Sequence, residues 1–443
     1  MLAAHAGTQV QEELLARLDQ ARAETDQLFS VVKPEFIYER PIPERHRVVF
    51  YIGHLEAFEW NLLRERVLGV RSFQPEFDQL FAFGIDPVDG GLPSDQPADW
   101  PRLEQVRNYV AQVRQALDSG LAAAELSHDA PSELSPSLLL NVAIEHRLMH
   151  AETLAYMFHQ LPLSNKTQNT TAPELVVRPF APRMVEIPSG SATLGLSRCQ
   201  TNIFGWDNEY ESHIVAVPAF TIDKYAVTNR EYLQFMSAGG YENRALWNEA
   251  DWNWKAEQQI SHPVFWNPSH GGWRYRSMFD DISLPLDWPV YVSHAEASAY
   301  ARWAGKTLPT EPQWHRAAYG TTEESEREYP WGAEAPDRSQ GNFDFERWDP
   351  TPVAAFPRGQ SAFGVADLIG NGWEWTSSVF QPFPGFEAFS FYPGYSANFF
   401  DGQHYVMKGG SARTAACMLR RSFRNWFQPH YQYVYAGFRC VSN

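Results

Sequence analysis

From Val10 to about Phe29 the apolar residues Leu14, Leu15, Leu18 and Ala21 recur at helical spacing, with charged residues between them. Side chains spaced in this way share one face, so the segment predicts a long amphipathic helix. The same reading predicts helices from about Pro43 to Arg66, from Trp100 to Leu117 and from Ser135 to Gln160. Ser135-Pro136 opens the last of these with an N-cap followed by a proline tolerated in the first turn. Four helices make a bundle, whose interior commonly holds a metal between facing side chains.

After Leu163 the pattern changes. Ser164 to Thr171 is polar and aperiodic, and beyond it Gly, Pro, Asn and aromatic residues punctuate short apolar runs such as Glu186-Ile187-Pro188 and Tyr405-Val406-Met407. Short strands, long loops and a few helices, notably Asn229 to Met236 and Ala295 to Ala304, are expected there. The chain therefore predicts an α+β protein of two domains: a helical bundle over residues 1–163, a linker over 164–182, and an irregular domain over 183–443.

Composition narrows the class of function. A chain of 443 residues exceeds what one core usually serves, and 44% hydrophobic against 20% charged residues excludes a disordered chain. The formal charge of −17 argues against nucleic acid as a partner. Cys199, Cys417 and Cys440 lie far apart without CxxC spacing, which points to neither a disulfide framework nor a thiolate zinc site. No run reaches the roughly 18 apolar residues of a membrane span, and Met1 to Gln11 lacks a secretory pattern. A cytoplasmic protein without a membrane partner is expected.

The strongest chemical constellation is Glu145-His146-Arg147-Leu148-Met149-His150. His146 and His150 are four apart, so both imidazoles leave the same helix face. His54, in Gly53-His54-Leu55-Glu56 on the second helix, offers a third nitrogen. Three neutral imidazoles with open coordination positions suit catalytic iron(II) or zinc. Spacing alone does not separate such ligands from packed histidines, and His46, His159 and His294 are read as solvated or packing residues.

A Gly-His on helix two with a His-x-x-x-His on helix four resembles the DinB-type bundle of the EgtB-like sulfoxide synthases of ergothioneine biosynthesis. In the second half, Thr228-Asn229-Arg230-Glu231-Tyr232, Leu308 to Trp314, Gly370 to Thr376 and Lys408-Gly409-Gly410-Ser411 resemble the formylglycine-generating-enzyme fold with its C-type-lectin-like core. Most of these motifs are expected to shape turns and pack Trp. Formylglycine generation itself is not implied, because the resemblance would require two nearby cysteines and only Cys417 lies in the corresponding stretch.

The sulfoxide-synthase resemblance implies an iron(II) enzyme that uses oxygen to join a thiol to the imidazole of hercynine, with His54, His146 and His150 as metal ligands. Phe204 to Glu209 and Arg424 to Phe427 are similar to segments lining the substrate pocket of that family. By this similarity Asp207, Asn208, Asn425, Trp426 and Phe427 become candidate substrate contacts, Asn425 and Trp426 for the trimethylammonium and carboxylate. An aromatic face suits a quaternary ammonium, which cannot donate a hydrogen bond.

Three departures qualify the carry-over. Met149 stands where many members place a Gln that reaches the substrate imidazole. Leu80 to Ile85 lacks the paired tyrosines often found after helix two, so the proton-donating phenol is assigned to Tyr392, with Tyr395 as the alternative. Gly84 to Pro101 contains no Lys or Arg but carries Asp86, Asp89, Asp95 and Asp99, which favours free cysteine over γ-glutamylcysteine as sulfur donor. Histidine as acceptor, another sulfur or selenium donor, a zinc thiol transferase and a non-catalytic metal-stabilised binding protein remain open readings.

Overall fold

The computed structural model describes residues 2–84, 92–124, 134–167, 175, 179–200 and 203–442, with side chains from Val10 onward. The chain divides into two compact units, Met1–Asn169 and Thr170–Asn443.

In unit 1 the described helices are α1 (Leu2–Phe29), α2 (Val48–Leu63), α3 (Pro75–Phe83), α4 (Leu103–Ala123) and α5 (Pro136–Gln160). The four long helices are those the apolar pattern predicts, with shifted ends. Helix α2 begins at Val48 rather than Pro43, since Arg47 is extended. Helix α4 begins at Leu103 rather than Trp100, because a residue before proline, here Pro101, is steered away from helical backbone. At α5 the Ser135 hydroxyl accepts the Leu138 amide at 3.3 Å, as a serine N-cap should.

Helix α3 is an addition to the predicted bundle. Its nine residues bury only Asp78 and Phe81, too few apolar positions to declare a period. Pro75 supplies its first turn and Gly84, at φ +74°, ends it. The polar run expected to start a linker at Ser164 is in part packed within unit 1: Lys166 is buried and bridges to Val32. Residues 168–174 and 176–178 of that linker lie outside the described residues.

Unit 2 contains β1 (Met184–Ile187), β2 (Gly190–Leu194), β3 (His213–Val217), β4 (Phe220–Asp223), α6 (Asn229–Ser237), α7 (Glu249–Glu257), β5 (Trp266–Ser269), β6 (Gly272–Arg276), β7 (Asp281–Ser283), α8 (His294–Trp303), α9 (Glu311–Tyr319), β8 (Trp373–Val379), β9 (Tyr405–Lys408), β10 (Asn425–Phe427), β11 (Ala436–Gly437) and β12 (Val441–Ser442). Its sheets are small. The largest has four strands in the order β10-β9-β8-β11, with Trp426 paired opposite Val406.

Several sequence motifs of this unit cap helices or pair buried polar groups. Thr228 with Glu231, Ser293 with Glu296 and Thr310 with Gln313 form capping boxes at α6, α8 and α9. Fully buried Trp314 donates its indole N–H to Glu374 Oε2 at 2.7 Å, and the same carboxylate takes the buried Arg439 guanidinium. Asn371, in left-handed backbone at φ +65°, accepts the Thr351 amide at 2.7 Å. These polar side chains answer groups that short strands and long loops would leave unsatisfied.

Candidate metal centre

Unit 1 brings three imidazoles together. His54 on α2 and His146 and His150 on α5 place their ligating nitrogens within 4.8 Å of one another. His54 Nε2 and His150 Nε2 are 3.2 Å apart. Two nitrogens each bound at about 2.1 Å to one ion stand about 3 to 4 Å apart, so this pair already has the separation of two ligands.

The orientation of His54 has a local cause. Its Nδ1 lies 2.7 Å from the backbone carbonyl of Phe81 on α3. That carbonyl accepts, so Nδ1 carries the proton and Nε2 is left with its lone pair toward His150. Gly53 makes the approach possible: a Cβ there would fall 2.4 Å from the Phe81 ring. Phe58, one turn after His54, lies flat on His146 with ring centroids 3.4 Å apart and planes within 8°.

Electrostatics favour neutral, ligating imidazoles. Burial pushes His54 down to about 4, with the His46 and Arg147 charges adding to the effect against the Phe81 carbonyl. His146 and His150 are held well below the ordinary histidine range, first by burial and then by neighbouring imidazoles and arginines. His150 Nδ1 is buried with no hydrogen-bond partner among the described residues. A divalent cation would draw on the three lone pairs that this donor set presents, so the residues fit a three-histidine metal site.

His46, His159 and His294 are outside this group: His159 is fully buried, His294 stacks on Tyr405 at 3.8 Å, and the His46 ring lies tilted by 44° against Phe50 at 4.2 Å. Met149, between His146 and His150 in the sequence, is half-buried and offers a thioether where the resemblance calls for a carboxamide.

Within unit 2, Trp426 and Tyr395 belong to one aromatic cluster. Trp426 on β10 stacks on Phe380 at 4.2 Å, with Tyr395 and Phe399 edge-on or tilted at 5.5 and 5.6 Å. Asn425 turns its side-chain carbonyl back to its neighbour, accepting the Trp426 amide at 2.8 Å. Phe427 stacks instead on Tyr431 at 4.9 Å.

Asp207 grips the loop that carries both phenols. Its Oδ1 accepts the Ser396 hydroxyl at 2.6 Å, while Trp206 stacks on Tyr395 at 4.0 Å. Burial raises the Asp207 carboxyl above its ordinary range, opposed by the Ser396 hydroxyl and the Phe389 and Asn208 amides. Asp207 Oδ2 and Asn208 Oδ1 are buried without hydrogen-bond partners among the described residues. Burial, with Asp207 adding to it, also raises the Tyr392 phenol, which keeps its proton at neutral pH.

The acidic stretch after α3 needs a correction. Asp95 is neutralised by Arg40 and by Arg47, whose Nε lies 2.8 Å from Oδ2, and it accepts the Trp100 indole at 2.7 Å. Asp99 caps the Gln96 amide at 2.7 Å. Asp86 and Asp89 lie outside the described residues, as does Ile85. Arg102 and Arg107 are exposed.

Comparison with known proteins bears on both units. The DinB superfamily matches residues 17–154, and the sulfatase-modifying factor enzyme 1-like domain matches residues 170–443. Hercynine oxygenase of Mycobacterium tuberculosis is 36% identical over 76% of this chain and 77% of its own length. Hercynine oxygenase of Mycolicibacterium thermoresistibile is 35% identical over 83% of this chain and 80% of its own. Ergothioneine biosynthesis protein 1 of Neurospora crassa is 28% identical over 92% of this chain and 55% of its own. No helix among the described residues is long and apolar enough to cross a membrane.

Proposed function

The chain belongs to the hercynine oxygenase family and is an oxidoreductase, and from that premise we propose that it joins a thiol to the imidazole of hercynine, with oxygen as oxidant and iron(II) at His54, His146 and His150. Convergence of three imidazoles in unit 1, His146 buried and His54 and His150 partly so, carries this reading. In the overall reaction the imidazole C–H and the thiol S–H hydrogens leave with one oxygen atom as water. The other oxygen atom ends on sulfur, so four electrons pass from substrates to oxygen and the product is a sulfoxide.

When bound, iron would bring oxygen and the thiol together and overcome the spin barrier to oxygen's reaction with closed-shell substrates. The protein's own groups supply orientation and protons. The Phe81 carbonyl fixes the His54 tautomer. Trp426, with Phe380 and Tyr395 around it, offers aromatic faces to the trimethylammonium of hercynine. Tyr392, protonated at neutral pH, can hand its phenolic proton to an oxygen atom undergoing reduction.

Free cysteine is the assigned sulfur donor. Arg40 and Arg47 are already engaged by Asp95, which leaves less cationic surface for the second carboxylate of γ-glutamylcysteine.

The site assignment is tested by anaerobic iron loading. Wild-type protein should retain one iron per chain, and the His146→Ala/His150→Ala variant should retain none while keeping its helical circular dichroism. Stoichiometric iron in the folded double variant would remove the assignment.

A further inference from the structure

Behind the three histidines, unit 1 holds a run of alternating charges that spans all four long helices. Arg147, only 1% exposed and next to the ligand His146, donates Nε to Glu59, pairs Nη2 with Glu56 Oε2 at 2.8 Å and gives Nη1 to Thr25 Oγ1 at 3.0 Å. Glu59 also takes Arg22 of α1 at 3.1 Å, and Arg22 reaches Asp118 of α4 at 2.6 Å. Glu56 takes Arg114 of α4 at 2.7 Å, and Arg114 binds Asp26 of α1 at 2.7 and 2.8 Å. Glu56 and Glu59 are 1% and 0% exposed.

A buried ion pair is a poor device for stability alone. Apolar residues of similar volume fill such a space at equal or lower free energy, because the charges need not leave water. What a charge lattice does better is distinguish one arrangement of helices from its neighbours. Sliding α2 against α5 by one residue moves each side chain about 1.5 Å along the axis and about 100° around it. That slip would strand these carboxylates and guanidiniums unpaired in the interior.

The lattice and the imidazoles share the same two rigid rods. Glu56 and Glu59 follow His54 on α2 by two and five residues, and Arg147 directly follows His146 on α5. Any register that satisfies the charges therefore also sets His54 opposite His150.

We propose that Glu59 and Arg147 are positioning residues for the metal centre, whose buried pairing sets the register of α2 against α5 that brings His54 to His146 and His150. This role rests on the three-histidine metal site. It goes beyond that site in assigning its geometry to a charge lattice that touches no substrate.

The test uses the full chain with Co(II) as probe, titrated by its visible ligand-field absorption, and thermal unfolding of the metal-free protein measured alongside. Glu59→Leu/Arg147→Met removes the pair together and leaves Glu56 with Arg114 and Arg22 with Asp118. This variant should unfold at or above the wild-type temperature yet bind Co(II) at least tenfold more weakly, with an altered absorption band. Leu117→Ala, a fully buried cavity on α4 outside the lattice, should lower the unfolding temperature and leave the Co(II) band unchanged.

Arg147→Lys keeps the charge without the planar fork, and should fall between wild type and the double variant in affinity. It also serves if the double variant does not fold. Wild-type Co(II) affinity and spectrum in either folded lattice variant would overturn the proposal. Absence of Co(II) binding by the wild-type protein would instead overturn the three-histidine reading on which it rests.

Discussion

At Gly53 a single hydrogen atom decides whether α3 can pack close to the helix that carries His54. A methyl group there would meet the Phe81 ring at 2.4 Å, so Gly53→Ala must push α3 away and lengthen the bond from His54 Nδ1 to the Phe81 carbonyl. Overpacking of this kind costs about 1 to 3 kcal/mol, and loss of an outer-shell partner typically lowers metal affinity about 10- to 100-fold. Gly53→Ala should therefore bind Co(II) at least tenfold more weakly, a fall that metal titration would detect; wild-type affinity would mean that the carbonyl does not orient His54. Trp426 poses a comparable question in unit 2. Loss of a cation–π face costs about 0.5 to 2 kcal/mol, so Trp426→Leu should raise the hercynine dissociation constant about 2- to 30-fold by calorimetry. Unchanged hercynine binding would return Trp426 to the hydrophobic packing around Phe380.

Between α2 and α5, the desolvated imidazoles tie stability to pH. His54 is pushed down to about 4 and His150 well below the ordinary value, so an unfolded chain binds more protons than the folded one once pH falls through about 6.5. Stability contributed by neutral burial is present above that pH and is lost as pH falls toward 4. Metal-free protein should accordingly lose more urea resistance between pH 7.5 and pH 5 than His150→Asn does, followed by helical circular dichroism. An equal loss in both proteins would contradict that sign. These helices are also the most legible part of the chain, since α1, α2, α4 and α5 are long enough to state their period. Helix α3 is not, because nine residues with two buried positions declare no pattern. The pairing of His146 with His150 can be read from spacing, whereas the partner of His54 is a backbone carbonyl 27 residues away that no side-chain pattern announces.

At the scale of the whole molecule, family motifs and function are legible in different places. The motifs of unit 2 stand out because capping and buried polar pairing demand particular residue types, as in Thr310 with Gln313 or Trp314 with Glu374. The charge balance after α3 is hidden from a local reading because Arg40 and Arg47, which neutralise Asp95, come from 55 and 48 residues earlier. Their engagement bears on the donor: cysteine should show a higher kcat/KM than γ-glutamylcysteine in steady-state assays, and the reverse order would place a carboxylate-binding cation elsewhere. The central claim is that this oxidoreductase couples oxygen to carbon–sulfur bond formation on hercynine through a three-histidine iron site. It is tested most directly by an oxygen electrode read against mass-spectrometric product in iron-loaded protein supplied with hercynine and cysteine. One oxygen molecule should disappear for each sulfoxide formed, and none when iron is omitted; product formed by zinc-loaded protein without oxygen consumption would contradict it.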